Sequence, residues 1–292
     1  MPHHHGATGS WGISVLFTLV FVFVALAYLR GWMRLRSSDA RVSSARAASF
    51  LGGLLLIWGA LASPMAALDH ELLTFHMIQH LLLMTLAPPL IWLGEPVLAF
   101  SLGLSRRVAA ASLLPRPQMP RLARALTQPA FALGAASAAL VVGHIPGVFA
   151  LGMEFGSWHM VEQATFLTTG LQFWWPVVQP WPAVPQPELS LILYLFFATL
   201  PCDILSGFLV FCDRVVYRNY FSSSHLFGFS ALGDQQCAAA LMWTCVTIVY
   251  LVAGALLAMH LLSPQWAAAG RLAGSGRHTQ TTNLIQQKVG GI

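Results

Sequence analysis

Four histidines at the ends of apolar segments are the side chains of this sequence best suited to chemistry. They are His76, His80, His144 and His159. An imidazole beside hydrocarbon is costly to leave without a polar partner, so several at one membrane depth indicate a shared metal, haem or proton path. The sequence therefore predicts a functional centre built mainly from imidazole.

The sharpest motif is His76-Met-Ile-Gln-His80. Residues four apart share one helical face, so both imidazoles can reach a single ion. Met84 continues that face one turn further along the chain, and a thioether beside two imidazoles favours copper over calcium or magnesium. We predict a metal site here, with helix-end capping in a packed bundle as the alternative explanation of the pair.

A second group of candidates follows the first. His144-Ile-Pro ends one apolar segment, and Trp158-His159-Met160-Val-Glu162-Gln163 opens the next. A short loop between antiparallel helices would bring His144 and His159 to similar depth, and Glu162 could ligate or orient a ligating histidine. The predicted metal ligands are His76, His80, His144, His159, Glu162, Met84 and Met160.

Composition determines the class of protein. Apolar residues make up 57% of the 292 residues and charged residues 9%, with a mean hydropathy of +0.67. Such values exclude an ordinary soluble domain. Runs long enough to cross about 30 Å of hydrocarbon lie near residues 11–30, 48–66, 72–94, 129–149, 157–178, 189–212 and 236–262.

The predicted fold is therefore all-α, a polytopic membrane helix bundle with seven transmembrane helices over residues 11–262. Residues 1–10 form an outer segment, and residues 263–292 are expected to form a mobile cytoplasmic tail. Pro96 to Leu104 is too short to cross and is expected at the interface. The stretches Arg34 to Arg46 and Arg106 to Gln128 are interpreted as basic linkers.

Orientation follows from the positive charges, which stay on the cytoplasmic side near helix ends. Of the 15 Lys and Arg residues, all but Arg214 and Arg218 fall on one side of the predicted bundle. This places the N-terminus outside and the C-terminus in the cytoplasm, with the candidate histidines at the outer end. The basic residues flank the membrane segments without interleaved aromatics, which argues against nucleic-acid binding.

Several blocks together resemble the CtaG-type cytochrome c oxidase assembly factors. The blocks run in family order over residues 70–262: His76-Met-Ile-Gln-His80-Leu-Leu-Leu-Met, Ala87-Pro-Pro-Leu, Gly94-Glu-Pro, His144-Ile-Pro, Phe173-Trp-Trp-Pro-Val-Val, Asp234-Gln-Gln and Leu241-Met-Trp243. The resemblance implies a bacterial plasma (inner) membrane protein that handles copper for a haem–copper oxidase subunit, together with other copper chaperones. This chain departs from the family in one respect, because members often carry His where this chain has Gln163. Glu162 or Met160 would then take the place of that histidine as a ligand.

Other functions remain open from the sequence. A membrane zinc hydrolase would use the histidines for zinc and Glu162 or Asp203 to activate water. A haem-binding electron carrier would use them as axial ligands, and a copper importer would feed the same pathway. A metallochaperone is favoured over an enzyme. Cys212 and Cys237 lie near outer helix ends, but sequence alone leaves open whether they pair.

Overall fold

The structure is a computed structural model that describes residues 7–38, 43–104, 121–180, 186–221, 228 and 230–262. The predicted segments 1–10 and 263–292 thus fall largely or wholly outside the described residues. The regular elements of the described part are helical: α1 (Ala7–Ser38), α2 (Ser44–Ala62), α3 (Leu73–Leu81), α4 (Ala87–Leu93), α5 (Pro96–Leu104), α6 (Arg121–Leu126), α7 (Pro129–Gly143), α8 (Pro146–Glu154), α9 (Gly156–Val178), α10 (Glu188–Phe211) and α11 (Ala231–Leu262).

A multi-pass helical membrane protein is confirmed. Within the described residues, five stretches are long and apolar enough to cross a bilayer: Val15–Ser37, Ser44–Leu68, Leu73–Leu93, Glu188–Phe211 and Ala231–Leu262. A sixth is available if α7 and α8 are counted as one broken span. Helix α9 has 23 residues, but polar residues such as His159 and Glu162 lower its hydropathy, and the predicted count of seven is not established.

The predicted continuous segment 129–149 is wrong in one respect. Helix α7 ends at Gly143 and α8 begins at Pro146, with an angle of 74° between them. Pro146 has no N–H to donate and disfavours helical geometry in the residue before it. Ile145 accordingly has an extended conformation, with φ −64° and ψ 123°. The break leaves His144 at the end of α7, where its side chain can turn into the bundle.

The first predicted linker is also shorter than expected, because α1 continues through Arg34 and Arg36 to Ser38. Arginine is a good helix former, and nothing in this stretch breaks the helix. The Arg36 guanidinium lies 5.2 Å from the centre of the Trp32 ring, a cation–π contact that covers the end of α1. Arg34 and Arg36 therefore belong to the first helix rather than to a linker after it.

The third membrane stretch is one continuous rod made of α3, a π-helical turn over Leu82–Leu86 and α4. Pro88 and Pro89 cannot donate to carbonyls one turn back, which disrupts a regular α-helix at this point. The wider turn accommodates the break, since the Ala87 N–H donates to Leu82 O, five residues earlier. Such π-bulges are frequent at functional sites, and this one lies directly below His80.

Neighbouring helices hold this rod at the centre of the bundle. Helices α2, α9 and α11 pack against it, α10 packs along α11, and α1 packs on α2 and α5. Gly170 of α9 makes the closest approach, since a Cβ on it would lie 2.7 Å from Met84 Cα. Absence of a side chain at residue 170 therefore lets α9 carry its polar residues up to α3.

Candidate metal centre

The N-terminus of α3 is fixed by a carboxylate that is distant in sequence. Asp234, in the first turn of α11, accepts hydrogen bonds from Leu73 N (2.7 Å), Thr74 N (3.1 Å) and Thr74 Oγ1 (2.6 Å). The first N–H groups of a helix lack intrahelical partners and attract negative charge. Asp234 is 2% exposed, so it caps α3 from inside the bundle. This cap sets the position of His76 and His80 one and two turns later.

His76 and His80 lie on the same face of α3, as their spacing predicted. Their ring centroids are 4.3 Å apart, and the residues are 1% and 5% exposed. Both nitrogens of both rings are buried without a hydrogen-bond partner in the described protein. Each such unmet group costs about 1–3 kcal/mol. Four of them side by side are explained if a ligand from outside the chain binds there.

Glu162 of α9 completes a three-donor group. Its Oε2 lies 4.0 Å from His76 Nε2, and one donor atom from each of His76, His80 and Glu162 lies within 4.8 Å of the others. An ion with bonds of about 2.1 Å keeps such donors about 4 Å apart or less. Side-chain movements that shorten the widest separation by about 1 Å would therefore close the group around one ion.

His159 links this group to a second carboxylate. Its Nδ1 lies 3.4 Å from Glu162 Oε2 and its Nε2 2.9 Å from Asp69 Oδ2. The Gln163 side-chain nitrogen also lies 2.8 Å from Nε2, and since one ring nitrogen carries at most one proton, Nε2 either donates to Asp69 or accepts from Gln163. Nε2 of His159 is hydrogen-bonded, whereas Nδ1 lies close to Glu162 Oε2 without a hydrogen bond. His159 is therefore placed to orient Glu162 as an outer-shell partner.

Asp69 lies just before α3 and is 3% exposed. Burial by itself raises the pKa of its carboxyl, but the hydrogen bond with His159 and the nearby charges of His70, His159 and His76 lower the pKa below its ordinary value overall. Tyr220 donates from its hydroxyl to the Asp69 carbonyl at 2.6 Å, and burial raises the pKa of that phenol. Asp69 is thus held as a carboxylate behind His159.

His144 lies on the opposite side of His80, with ring centroids 6.1 Å apart. Its Nδ1 lies 2.8 Å from Leu140 O and its Nε2 3.4 Å from Met77 Sδ. The Tyr217 hydroxyl donates to the His144 carbonyl at 3.1 Å and fixes the end of α7. A cavity of about 40 Å³ opens beside these residues, towards the middle of the bundle.

The structure thus brings together His76, His80, His144, His159 and Glu162, whereas the two predicted methionines differ. Met84 lines the cavity, but Met160 is 56% exposed on the outer surface of α9. Sequence reasoning missed Asp69 as a partner of His159 and Met77 as a neighbour of His144. The four cysteines are free, with Cys202 buried and Cys237 exposed. Metal ligation by any of these side chains stays a prediction.

Comparison with known protein families identifies the family of this chain. A family model described as cytochrome c oxidase caa3 assembly factor (Caa3_CtaG) matches residues 26–263. No protein with a curated description and no solved structure gives a significant match. The family match covers the C-terminal part of α1 and α2 to α11, and includes every residue of the candidate metal centre. The chain belongs to the caa3-type cytochrome c oxidase assembly factor family.

Proposed function

We propose that this assembly factor binds copper through His76, His80 and Glu162 and delivers it to a haem–copper oxidase subunit. The observation that carries the proposal is the group of four buried imidazole nitrogens without partners, beside a carboxylate that can complete a three-donor site. Family membership supplies the oxidase as the protein served. The ion is cargo, so binding must be reversible.

The donor chemistry supports copper as cargo. Imidazole binds copper and zinc well, whereas calcium and magnesium prefer all-oxygen sites. Three protein donors leave a coordination position open, through which an incoming ligand from the oxidase could begin an exchange. Asp69 contacts His159, and His159 in turn contacts Glu162. Outer-shell contacts of this type tune metal affinity without blocking the ion.

For orientation we propose seven transmembrane helices, with the N-terminus outside and the C-terminus in the cytoplasm of a bacterial inner membrane. The asymmetry of Lys and Arg supports this placement. Helix α9 would be the seventh span, because its buried residues His159, Phe166, Gly170 and Phe173 face the bundle and the more polar turns surround the centre. The copper site then lies at the outer end, within reach of an oxidase subunit in the same membrane and of other copper chaperones.

One observation favours a second candidate, a zinc-dependent hydrolase. Two histidines and one glutamate with an open fourth position form a ligand set that catalytic zinc sites use. Zinc would lower the pKa of a bound water and so generate a nucleophile. Purified protein that contains zinc rather than copper, and that hydrolyses a lipid or peptide substrate, would favour this candidate.

Oxidase assembly in a deletion strain tests the proposed function. We expect a strain without this protein to make oxidase subunits but to show reduced copper-dependent oxidase activity. His80→Ala should fail to restore activity, whereas His260→Ala should restore it, because His260 lies at the opposite end of α11 from Asp234. Variant levels in the membrane must match. Full oxidase activity with His80→Ala, or in the deletion strain itself, would contradict the proposal.

A further inference from the structure

Beside the proposed copper site, the His144 ring faces the sulfur of Met77. A neutral His144 ring cannot form a hydrogen bond with that sulfur. His144 Nδ1 lies 2.8 Å from Leu140 O, so the ring proton of a neutral imidazole is on Nδ1 and is donated to that carbonyl. Nε2 then presents a lone pair to Met77 Sδ at 3.4 Å. A thioether sulfur has no proton to donate. Two lone pairs thus meet where both residues are at most 4% exposed.

A soft cation between the two atoms would use both lone pairs. Bonds of about 2.0 Å to nitrogen and about 2.3 Å to sulfur, as Zn²⁺ makes, would span the 3.4 Å separation at an angle of about 105°, close to tetrahedral. The Nδ1 contact to a backbone carbonyl is also the usual orienting contact of a metal-binding histidine. The side chains are therefore placed as ligands before any ion arrives.

The cavity next to this pair provides space and further soft atoms. It has about 40 Å³, more than the roughly 10–15 Å³ that one water requires. Its lining includes His80, Met84, Cys202 and Met242. His80 is also one of the three donors of the proposed copper site formed by His76, His80 and Glu162, which we call the outer site. Neither ring nitrogen of His80 has a hydrogen-bond partner. The outer site and this cavity therefore share the His80 side chain.

We propose that the cavity is a second copper site, selective for Cu(I), with Met77 and His144 as ligands, which exchanges the ion with the outer site through His80. Thioether and thiol groups select monovalent copper over harder ions. The inference rests on the proposed function and adds the oxidation state and a route. Copper stays monovalent throughout: a bond to Met77 or His144 forms as one to His76 or Glu162 breaks, so no electron donor is required.

Anaerobic titration of the full-length protein in detergent with Cu(I), against a chromophoric Cu(I) chelator, tests this proposal. We expect two equivalents for the wild type and one each for Met77→Leu and His76→Asn. Met33→Leu is the matched control, because Met33 on α1 is 57% exposed and is not a candidate ligand, and this variant should bind two equivalents. X-ray absorption should show a copper–sulfur shell in the wild type that is strongly reduced in Met77→Leu. If Met77→Leu lowers the melting temperature, His144→Gln replaces it.

The outcomes separate the two sites. One equivalent that is lost in His76→Asn and kept in Met77→Leu would overturn the second site while leaving the outer one. One equivalent that is lost in Met77→Leu and kept in His76→Asn would support the second site and remove the outer one. Two equivalents with an unchanged sulfur shell in Met77→Leu would overturn the ligand assignment, and no bound Cu(I) would overturn both sites.

Discussion

Asp234 offers a direct test of how the bundle positions its histidines. Replacing it with alanine removes three hydrogen bonds, from Leu73 N, Thr74 N and Thr74 Oγ1. Loss of an ordinary helix cap costs about 0.5–2 kcal/mol, and a hydrogen bond to a charged group contributes about 1.5–3 kcal/mol. Desolvation of the carboxylate offsets part of this sum. We therefore expect Asp234→Ala to lower the free energy of unfolding by about 3 kcal/mol.

Thermal unfolding in detergent measures the effect. A change of 1 kcal/mol shifts the midpoint of a chain of this size by about 2–4 °C, so Asp234→Ala should melt about 6–12 °C lower. Asp234→Asn keeps an oxygen for Thr74 but places an amide nitrogen opposite Leu73 N, and should lose roughly half as much. Asp213→Ala is the control, because Asp213 is exposed in the segment between α10 and α11. A melting temperature for Asp234→Ala equal to that of Asp213→Ala would refute the capping argument.

Two further substitutions test the site and its packing. Glu162→Gln keeps the size of the side chain but removes the anionic donor beside His76. Copper affinity in a chelator competition should therefore fall at least about tenfold, with little change in melting temperature. Unchanged affinity would remove Glu162 from the site. Gly170→Ala would place a Cβ 2.7 Å from Met84 Cα and should lower the melting temperature, whereas Gly134→Ala has nothing within 4 Å of the added Cβ and should be neutral or raise it, since alanine is the better helix former. Equal effects of the two glycine substitutions would contradict the close approach of α9.

The helical periodicity of the sequence was sufficient to predict the parts of the centre that lie on one helix. The four-residue spacing placed His76 and His80 on one face, and the apolar run near 72–94 closely matches the stretch Leu73–Leu93. Pro146 was a signal for the break after α7, since proline constrains the residue before it. The continuous segment 129–149 was predicted nevertheless, because hydropathy alone does not register a change of direction.

Contacts between distant segments could not be read in this way. The cap on α3 joins Asp234 to Leu73, which are 161 residues apart in the sequence. Periodicity pointed to Met84 because it continues the face of His80. Met77, next to His76 in sequence, lies on a different face and meets His144 only because α7 ends there. These pairings depend on how the helices are packed.

Metal analysis of purified protein shows whether the buried imidazoles His76 and His80 hold copper, as we propose. The full-length wild type and a His76→Ala/His80→Ala double variant should be purified without chelators from copper-supplied cells, with matched melting behaviour. Because the second site at Met77 and His144 could retain an ion, we predict a loss of at least one copper equivalent in the double variant rather than complete loss. Equal copper content in the two proteins would show that copper is not held by His76 and His80.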